Sequence, residues 1–158
     1  MGFAGMADRA AIEAGGTWAA QGQPATTHGL LERTAKAFPE REALSFQLLS
    51  DPKAPAETLN WTELHAKSVQ TANLLRELGV GETDVVAFLL PNCSEVVQSY
   101  LGGQIAGVVN PINPLLDAGQ IGAILRQTNA KVLITLKAFP KSDVAQKAAE
   151  AVALAPNV

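Results

Sequence analysis

The side chains best suited to covalent or metal chemistry in this sequence are one cysteine and two histidines. Cys93 lies in a Pro-Asn-Cys-Ser turn, and a cysteine nucleophile needs a base, most often a histidine, to activate its thiol. No recognisable triad motif surrounds His28 or His65, and the separation of these residues along the chain does not match zinc-ligand spacing. We therefore interpret Cys93 as a small, semi-buried thiol and the histidines as solvated or helix-face residues.

Glycines at fixed positions after a strand are the mark of a phosphate-binding loop. Gly79 and Gly81 instead precede an apolar, strand-like run, and the Gly102-Gly103 pair falls inside a predicted helix. This spacing fits neither a dinucleotide-binding fingerprint nor a P-loop. Gly79 and Gly81 instead indicate the end of a helix, and Gly102 and Gly103 indicate close packing between helices.

The most unusual local sequence is Asn110-Pro111-Ile112-Asn113-Pro114. Its two prolines fix the backbone angle φ and remove two backbone donors at the carboxyl end of a predicted parallel strand. Ligands of open α/β sheets bind at that end, so this segment is either a rigid strand-to-helix connector, which we favour, or part of a site. From the residue types and their spacing we assign no catalytic, cofactor-binding or metal-binding residue.

Alternating helical and strand patterns indicate which elements position these residues. A hairpin is predicted first, and three short apolar runs separated by helical stretches then predict βαβ units and a parallel sheet with right-handed crossovers. Residues 1–25 are predicted to be an irregular leader, and residues 156–158 to lead into a fourth strand. The predicted elements are a helix from Thr27 to Pro39, strands at Ala43–Phe46 and Thr58–Trp61, a helix over Glu63–Leu78, a strand at Val85–Leu90, a helix after a Ser94 cap, a strand from Val108, a helix opened by an Asp117/Gln120 capping box, a strand at Lys131–Thr135 and a helix from Ser142 to Ala155.

Length and composition fit one folded domain. The chain has 158 residues, of which 47% are hydrophobic, and its mean hydropathy is +0.12. This composition excludes a disordered chain. Charged residues make up only 17%, against about 25% in typical domains. We therefore expect part of the surface to be covered by something outside this chain.

Charge and hydropathy exclude several other classes. Twelve basic against fifteen acidic residues give a net charge of −3, and the basic residues are scattered singly, so we expect no nucleic-acid partner. A single cysteine excludes an internal disulfide. Residues 1–11 lack the apolar run of a signal peptide, and we find no apolar stretch long enough for a membrane span. The expected location is the cytoplasm.

A series of short motifs follows the predicted hairpin. No single motif is specific, but in this order and spacing they resemble the AMP-forming acyl-CoA synthetases of the adenylate-forming superfamily. The resemblance covers roughly residues 30–158. Its motifs are Leu59-Asn60-Trp61-Thr62-Glu63-Leu64, Ala72-Asn73-Leu74-Leu75, Leu78-Gly79-Val80-Gly81, Asp84-Val85-Val86-Ala87, Leu90-Pro91-Asn92-Cys93, the run from Ala106 to Leu116, and Leu133-Ile134-Thr135.

One of these motifs separates two branches of the superfamily. Amino-acid-activating relatives usually carry a Tyr-x-Pro-x-Asp-Pro turn where this chain has the segment from Asn110 to Pro114. The resemblance therefore favours acyl-CoA ligases over peptide-synthetase modules.

The resemblance implies that residues 26–158 are the N-terminal α/β subdomain of an AMP-binding domain, truncated at its C-terminus. The implied reaction activates a carboxylic acid with ATP and Mg²⁺ to an acyl-adenylate and transfers the acyl group to CoA. The family's phosphate loop, adenine segment, ribose-binding aspartate and catalytic lysine would all lie beyond Val158, so none of its site residues carries over. The resemblance thus implies that this chain alone is inactive, binds none of these cofactors and self-associates through its cut surface. The alternative is a self-contained, non-enzymatic α/β module that binds a partner protein.

Overall fold

Residues 5–51 and 53–158 are described by a computed structural model, in which helices and strands alternate along most of the chain. Within these residues the elements are α1 (Met6–Glu13), α2 (Thr27–Ala37), β1 (Glu42–Phe46), β2 (Glu57–Asn60), α3 (Trp61–Glu77), β3 (Val85–Leu89), α4 (Ser94–Ala106), β4 (Val108–Pro111), α5 (Ala118–Gln127), β5 (Ala130–Thr135) and α6 (Val144–Ala153).

The strands form two sheets. β1 and β2 pair antiparallel as the predicted hairpin. The other three strands form a parallel sheet in the order β4-β3-β5, with Val86 of the central strand in register with Val109 on one side and Val132 on the other. The predicted α/β class and parallel sheet are confirmed.

The core lies on both faces of the central strand β3. Its side chains alternate, as in any strand, so Ala87 and Leu89 pack with α5 and α6 while Val86 packs with α3 and α4. From Val86 to Leu89 no residue is more than 4% exposed, which explains the uninterrupted apolar run in the sequence. A third cluster, centred on Leu31, Leu59 and Leu64, joins the hairpin to α2, α3 and α4.

Helix ends differ from the sequence expectations by a residue or two because the capping side chains decide them. Thr26, not Thr27, caps α2 by accepting from the Gly29 N–H. α3 begins at Trp61, two residues earlier than predicted, because Asn60 and Glu63 form a capping box. Cys93, not Ser94, is the N-cap of α4, and its side chain makes no capping hydrogen bond.

The predicted capping box at Asp117 and Gln120 is confirmed at the start of α5. The predicted helix end before β3 is confirmed at Gly79, whose φ of +83° is a backbone angle that favours glycine.

The glycine pair in α4 allows the close helix packing that the sequence predicts. A Cβ atom on Gly102 would lie 2.6 Å from Thr71 Cβ and 2.8 Å from the Ser68 carbonyl oxygen on α3. A Cβ on Gly103 would collide with Val109 Cγ1 on β4. Both positions therefore exclude a side chain.

One terminal segment differs from its prediction. Residues 6–13 of the predicted irregular leader form helix α1, in which no residue is buried, so the irregular description was wrong there. Residues 156–158 form a turn, in which the Asn157 side-chain amide donates to the Ala130 carbonyl at the start of β5.

Candidate functional site

The carboxyl ends of the three parallel strands meet at one edge of the sheet, where they border a crevice of about 270 Å³. Parallel strands place their carboxyl ends on the same side, and the loops that follow converge there. The lining comprises Pro91 after β3, Pro114 and Leu115 after β4, Phe139, Pro140, Lys141, Ser142 and Asp143 after β5, and Val144 and Lys147 of α6.

The double-proline segment after β4 is held by backbone bonds. The N–H of Ile112, a residue only 5% exposed, donates to the Phe88 carbonyl at 2.9 Å. The Asn113 side-chain oxygen accepts from the Leu115 N–H at 2.9 Å, and the Asn113 carbonyl accepts from the Leu116 N–H at 3.2 Å. These contacts are internal to the fold and support the interpretation of the segment as a rigid connector.

One lysine in the crevice is engaged by neighbouring groups. Lys147 Nζ lies 3.2 Å from Asp143 Oδ1 and donates to the Pro114 carbonyl at 3.3 Å, and its side chain is 22% exposed. Sequence reasoning missed this link between α6 and the double-proline segment. Only the ion pair with Asp143 had a signal in the sequence, the i, i+4 spacing of the two residues at the start of a helix.

Cys93 lies at the start of α4, near the same edge of the sheet. Burial raises the pKa of its thiol, and a hydrogen bond with the Glu95 side chain raises that pKa further. Since the thiolate is the nucleophilic form, this environment disfavours nucleophilic chemistry. Within the described residues no hydrogen bond joins Cys93 to a histidine, and the interpretation as a semi-buried thiol is supported.

Ser94 forms a buried polar contact that the sequence did not indicate. Its hydroxyl donates to Glu57 Oε2 at 2.7 Å, and the residue is 1% exposed. The bond fastens the start of α4 to β2. Only the tertiary arrangement brings these residues together, since they are 37 positions apart.

The two histidines lie on adjacent helices, His28 on α2 and His65 on α3, and their rings stack at a centroid distance of 5.7 Å. The predicted helix-face placement is therefore confirmed. The buried Nε2 of His65 has no hydrogen-bond partner within the described part of the chain. Across residues 5–51 and 53–158, no group of three or more His, Cys, Asp or Glu side chains could hold a metal ion.

A second concavity, of about 470 Å³, lies beside the sheet between α3, the start of α4 and β5. We call it the α3–β5 groove. Leu74 and Leu78 border it and are each 56% exposed, and Val132 and Ile134 of β5 line its floor. The groove is apolar and contains no nucleophile paired with a base.

No helix among the described residues combines the length and apolar character needed to cross a bilayer.

Comparison with known proteins identifies relatives over most of the chain. The family model described as "AMP-binding enzyme" matches residues 31–158. Marinolic acid–CoA ligase from Pseudoalteromonas sp. is 32% identical over 72% of this chain and 17% of its own length. The long-chain-fatty-acid–CoA ligase of Bacillus subtilis is 32% identical over 74% of this chain and 20% of its own length.

A similar fold is found among solved structures. A long-chain-fatty-acid CoA ligase structure from Rhodopseudomonas palustris superposes with a TM-score of 0.71 at 23% identity, covering 84% of this chain and 31% of that one. The chain thus spans about a fifth of the length of the curated relatives it matches.

Proposed function

The chain belongs to the AMP-binding enzyme family, and from this premise we propose that it is the N-terminal part of an AMP-forming acyl-CoA synthetase. In this proposal, residues 26–158 form the first α/β subdomain and residues 1–25 precede it. The whole enzyme activates a carboxylic acid with ATP to an acyl-adenylate and pyrophosphate. The thiol of CoA then displaces AMP to give the acyl-CoA.

The observation that carries this proposal is the family match over residues 31–158, together with relatives named as acid–CoA ligases. The segment from Asn110 to Pro114 supports the acyl-CoA branch, since it resembles the corresponding segment of the acyl-CoA synthetases more than the turn usual in the amino-acid-activating enzymes. In the structure this segment connects β4 to α5 through internal hydrogen bonds. Its proposed role is to hold the loop edge of the sheet rigid.

Two observations on the described residues support placing the sites for ATP and Mg²⁺ outside this chain. Their carboxylates form no group suited to a divalent cation, and Lys147 in the loop-edge crevice is already paired with Asp143. Phosphoryl chemistry depends on positioned positive charge around the phosphates. We therefore propose that residues outside this chain bind ATP, Mg²⁺ and CoA, and that this chain alone is inactive.

The test is ATP–pyrophosphate exchange, measured with this chain alone and with a longer protein that contains it, over a panel of carboxylic acids. We expect exchange only in the longer protein. Exchange above background by the chain alone, with any acid, contradicts its assignment as a non-catalytic part. The absence of exchange in both proteins would count against the ligase function itself.

A simpler observation distinguishes the proposed function from the alternative, a non-enzymatic module that binds a partner protein. The coding sequence after the Val158 codon either continues into a Ser/Thr/Gly-rich loop ending in Pro-Lys or does not. The proposed function requires this loop. We further propose a cytoplasmic location, which fractionation of the source cells would test.

A further inference from the structure

We propose that the contact between α2 and α3 is a pH-sensitive joint, in which protonation of the stacked pair His28 and His65 loosens the amino end of α2. Both helices lie within this chain, so the joint does not depend on the reaction proposed above. Two observations carry the proposal: the stacking of the rings, and the enclosure of one ring nitrogen without a hydrogen-bond partner.

The two rings are close enough for their charges to interact. His28 lies in the first turn of α2, and its ring faces that of His65 on α3 at a centroid distance of 5.7 Å and an interplanar angle of 17°. Neutral aromatic rings attract each other in a stack. Histidine is the side chain that gains a proton between pH 8 and pH 5. Two imidazolium rings at this distance repel each other, so the stack favours the neutral pair.

The Nε2 atom of His65 makes protonation unfavourable for a second reason. Among the described residues, it is the buried side-chain nitrogen that has no hydrogen-bond partner. A neutral imidazole has one nitrogen without a proton, whereas a charged imidazole has an N–H at both positions. Protonation therefore leaves a buried N–H without an acceptor, which is costly. Residues of this chain already enclose the atom, so its isolation does not depend on what else covers the surface.

The charged groups that face His65 come from α2. Glu32 and Lys36 border a hollow of about 200 Å³ beside the ring. Lys36 Nζ lies 2.7 Å from Glu32 Oε1, and this hydrogen bond is the main reason that the pKa of the Glu32 carboxyl is lowered. The Glu32 carboxylate attracts a charged ring and so opposes the loosening. It is already bonded to Lys36 and is 44% exposed to solvent, which screens that attraction.

Charged side chains on the other elements packed against α3 are engaged elsewhere. Glu57 of the hairpin accepts from Ser94, and Glu95 of α4 borders the α3–β5 groove. A separate polar hollow is lined by the remaining acidic residues of this region, Glu40, Glu42 and Glu63. The charge balance around the two rings is therefore set mainly by Glu32 and Lys36.

The packing of α2 determines which part of it separates. Leu31 of α2, only 5% exposed, packs in one cluster with Leu64 of α3. After the helix, the Pro39 carbonyl accepts from the N–H and the hydroxyl of Thr62 at 3.2 and 3.1 Å. These bonds hold the carboxyl end of α2 to the start of α3. Repulsion between the rings therefore moves the amino end of α2 outward and uncovers Leu31 and Leu64.

The stability of the chain gives the first test. The unfolded chain takes up protons freely on both histidines, whereas the folded chain resists them, so the folded state binds fewer protons and stability falls as the pH falls. A solvated histidine is half charged at about pH 6.5, so each histidine that the fold keeps neutral raises the unfolding equilibrium constant by at most about tenfold between pH 7.5 and 5.5. We expect a rise of about 3- to 10-fold in urea unfolding.

Substitutions separate the two causes. His65→Phe keeps an aromatic ring but removes both the charge and the enclosed nitrogen, and should abolish most of the rise. His28→Phe removes only the repulsion and should abolish part of it. Glu32→Gln removes the opposing attraction and should enlarge the rise. Gln70→His is the control, because it adds a solvated histidine at an exposed position of α3 and should leave the rise unchanged.

Hydrogen exchange in the unsubstituted chain provides a local test that does not depend on how well a variant folds. Amide protection over residues 28–37, corrected for the intrinsic exchange rate at each pH, should fall between pH 7.5 and 5.5 while that of β3 is retained. Circular dichroism confirms that each variant is folded. Unchanged protection of α2 at pH 5.5, a pH dependence in His65→Phe equal to that of the unsubstituted chain, or an equal change in Gln70→His would each overturn the proposal.

Discussion

Lys131, near the start of β5, joins this strand to the loop between α3 and β3. Its Nζ donates to Asp84 Oδ2 at 2.8 Å and to the Gly79 carbonyl at 2.5 Å. Asp84 Oδ2 also accepts from the Gly81 N–H at 2.8 Å. The hydrogen bond from Lys131, followed by that from Gly81, holds the pKa of the Asp84 carboxyl below its usual range.

This lowered pKa predicts a specific pH dependence. Because the pKa of Asp84 is lower in the folded state, its contribution to stability is present above the pKa of an unfolded aspartate, about 3.9, and is lost as the pH falls through the folded value. Asp84→Asn should therefore reduce stability at neutral pH and make the decline of stability below about pH 4 less steep. Urea unfolding at a series of pH values measures both effects. Glu82→Gln is the control, since Glu82 has no ion pair or side-chain hydrogen bond in the described part of the chain. If this control changed the decline of stability at low pH as much as Asp84→Asn does, the assignment to Asp84 would be contradicted.

Gly102 of α4 lies in close contact with α3. A methyl group there meets both the Ser68 backbone and Thr71 Cβ, so α3 and α4 would have to separate. Overpacking of this kind costs about 1–3 kcal/mol, and we expect Gly102→Ala to lower the free energy of unfolding by that amount. Gln104→Ala, at an exposed position of the same helix, should leave it nearly unchanged. Chemical denaturation followed by circular dichroism compares the two, and equal losses would show that the helix contact is not the cause.

Among the connecting segments, Asn110 to Pro114 gives the clearest prediction. The backbone bonds of Ile112 and Asn113 fix its conformation, and Pro114 fits without a cis bond. Pro114→Ala should therefore reduce stability by about 0.4–1 kcal/mol, mainly by giving the unfolded chain more freedom. Thermal denaturation measures this in the isolated chain. In a longer, active protein, a hundredfold fall in kcat/KM with an unchanged Tm would instead assign the segment to the site.

The sequence predicted those features of the fold that are determined by residues close together in the chain. The buried run of β3 and the Asp117/Gln120 capping box were readable because burial and capping leave a mark within a few residues. The strand order, with β5 beside β3 and not beside β4, depends on contacts between distant segments and left no such mark.

The same limit applies to the candidate site. The Ser94–Glu57 bond and the Lys147–Pro114 contact were missed because each joins residues more than thirty positions apart. Helix α1 was missed because glycines around it suggested a break and because it has no buried face to produce an apolar periodicity.

Across the whole molecule, the three apolar clusters share their elements. β3 contributes to both clusters that flank the parallel sheet. α3 and α4 contribute to the flanking cluster that contains Val86 and also to the hairpin cluster. Damage to one cluster should therefore destabilise the others, and the chain should unfold in one cooperative transition.

Leu125→Ala tests this cooperativity. Leu125 is fully buried between the parallel sheet and helices α5 and α6. Its truncation should lower the free energy of unfolding by about 2–5 kcal/mol. Trp61 reports on the distant hairpin cluster, and replacing Trp18 with Phe makes it the only tryptophan. We expect the urea transitions from Trp61 fluorescence and from far-ultraviolet ellipticity to shift together. A fluorescence transition left in place would mean that the hairpin layer unfolds independently.

The strand order β4-β3-β5 also sets a delay during synthesis on the ribosome. β3 can pair with β4 once residue 111 has emerged, but its other edge has no partner until β5 is complete at residue 135, 24 residues later. At roughly 5–20 residues per second, this interval lasts about 1–5 s. Throughout that interval the most apolar strand of the nascent chain has one open edge, and we expect chaperones that act at the ribosome to bind it there.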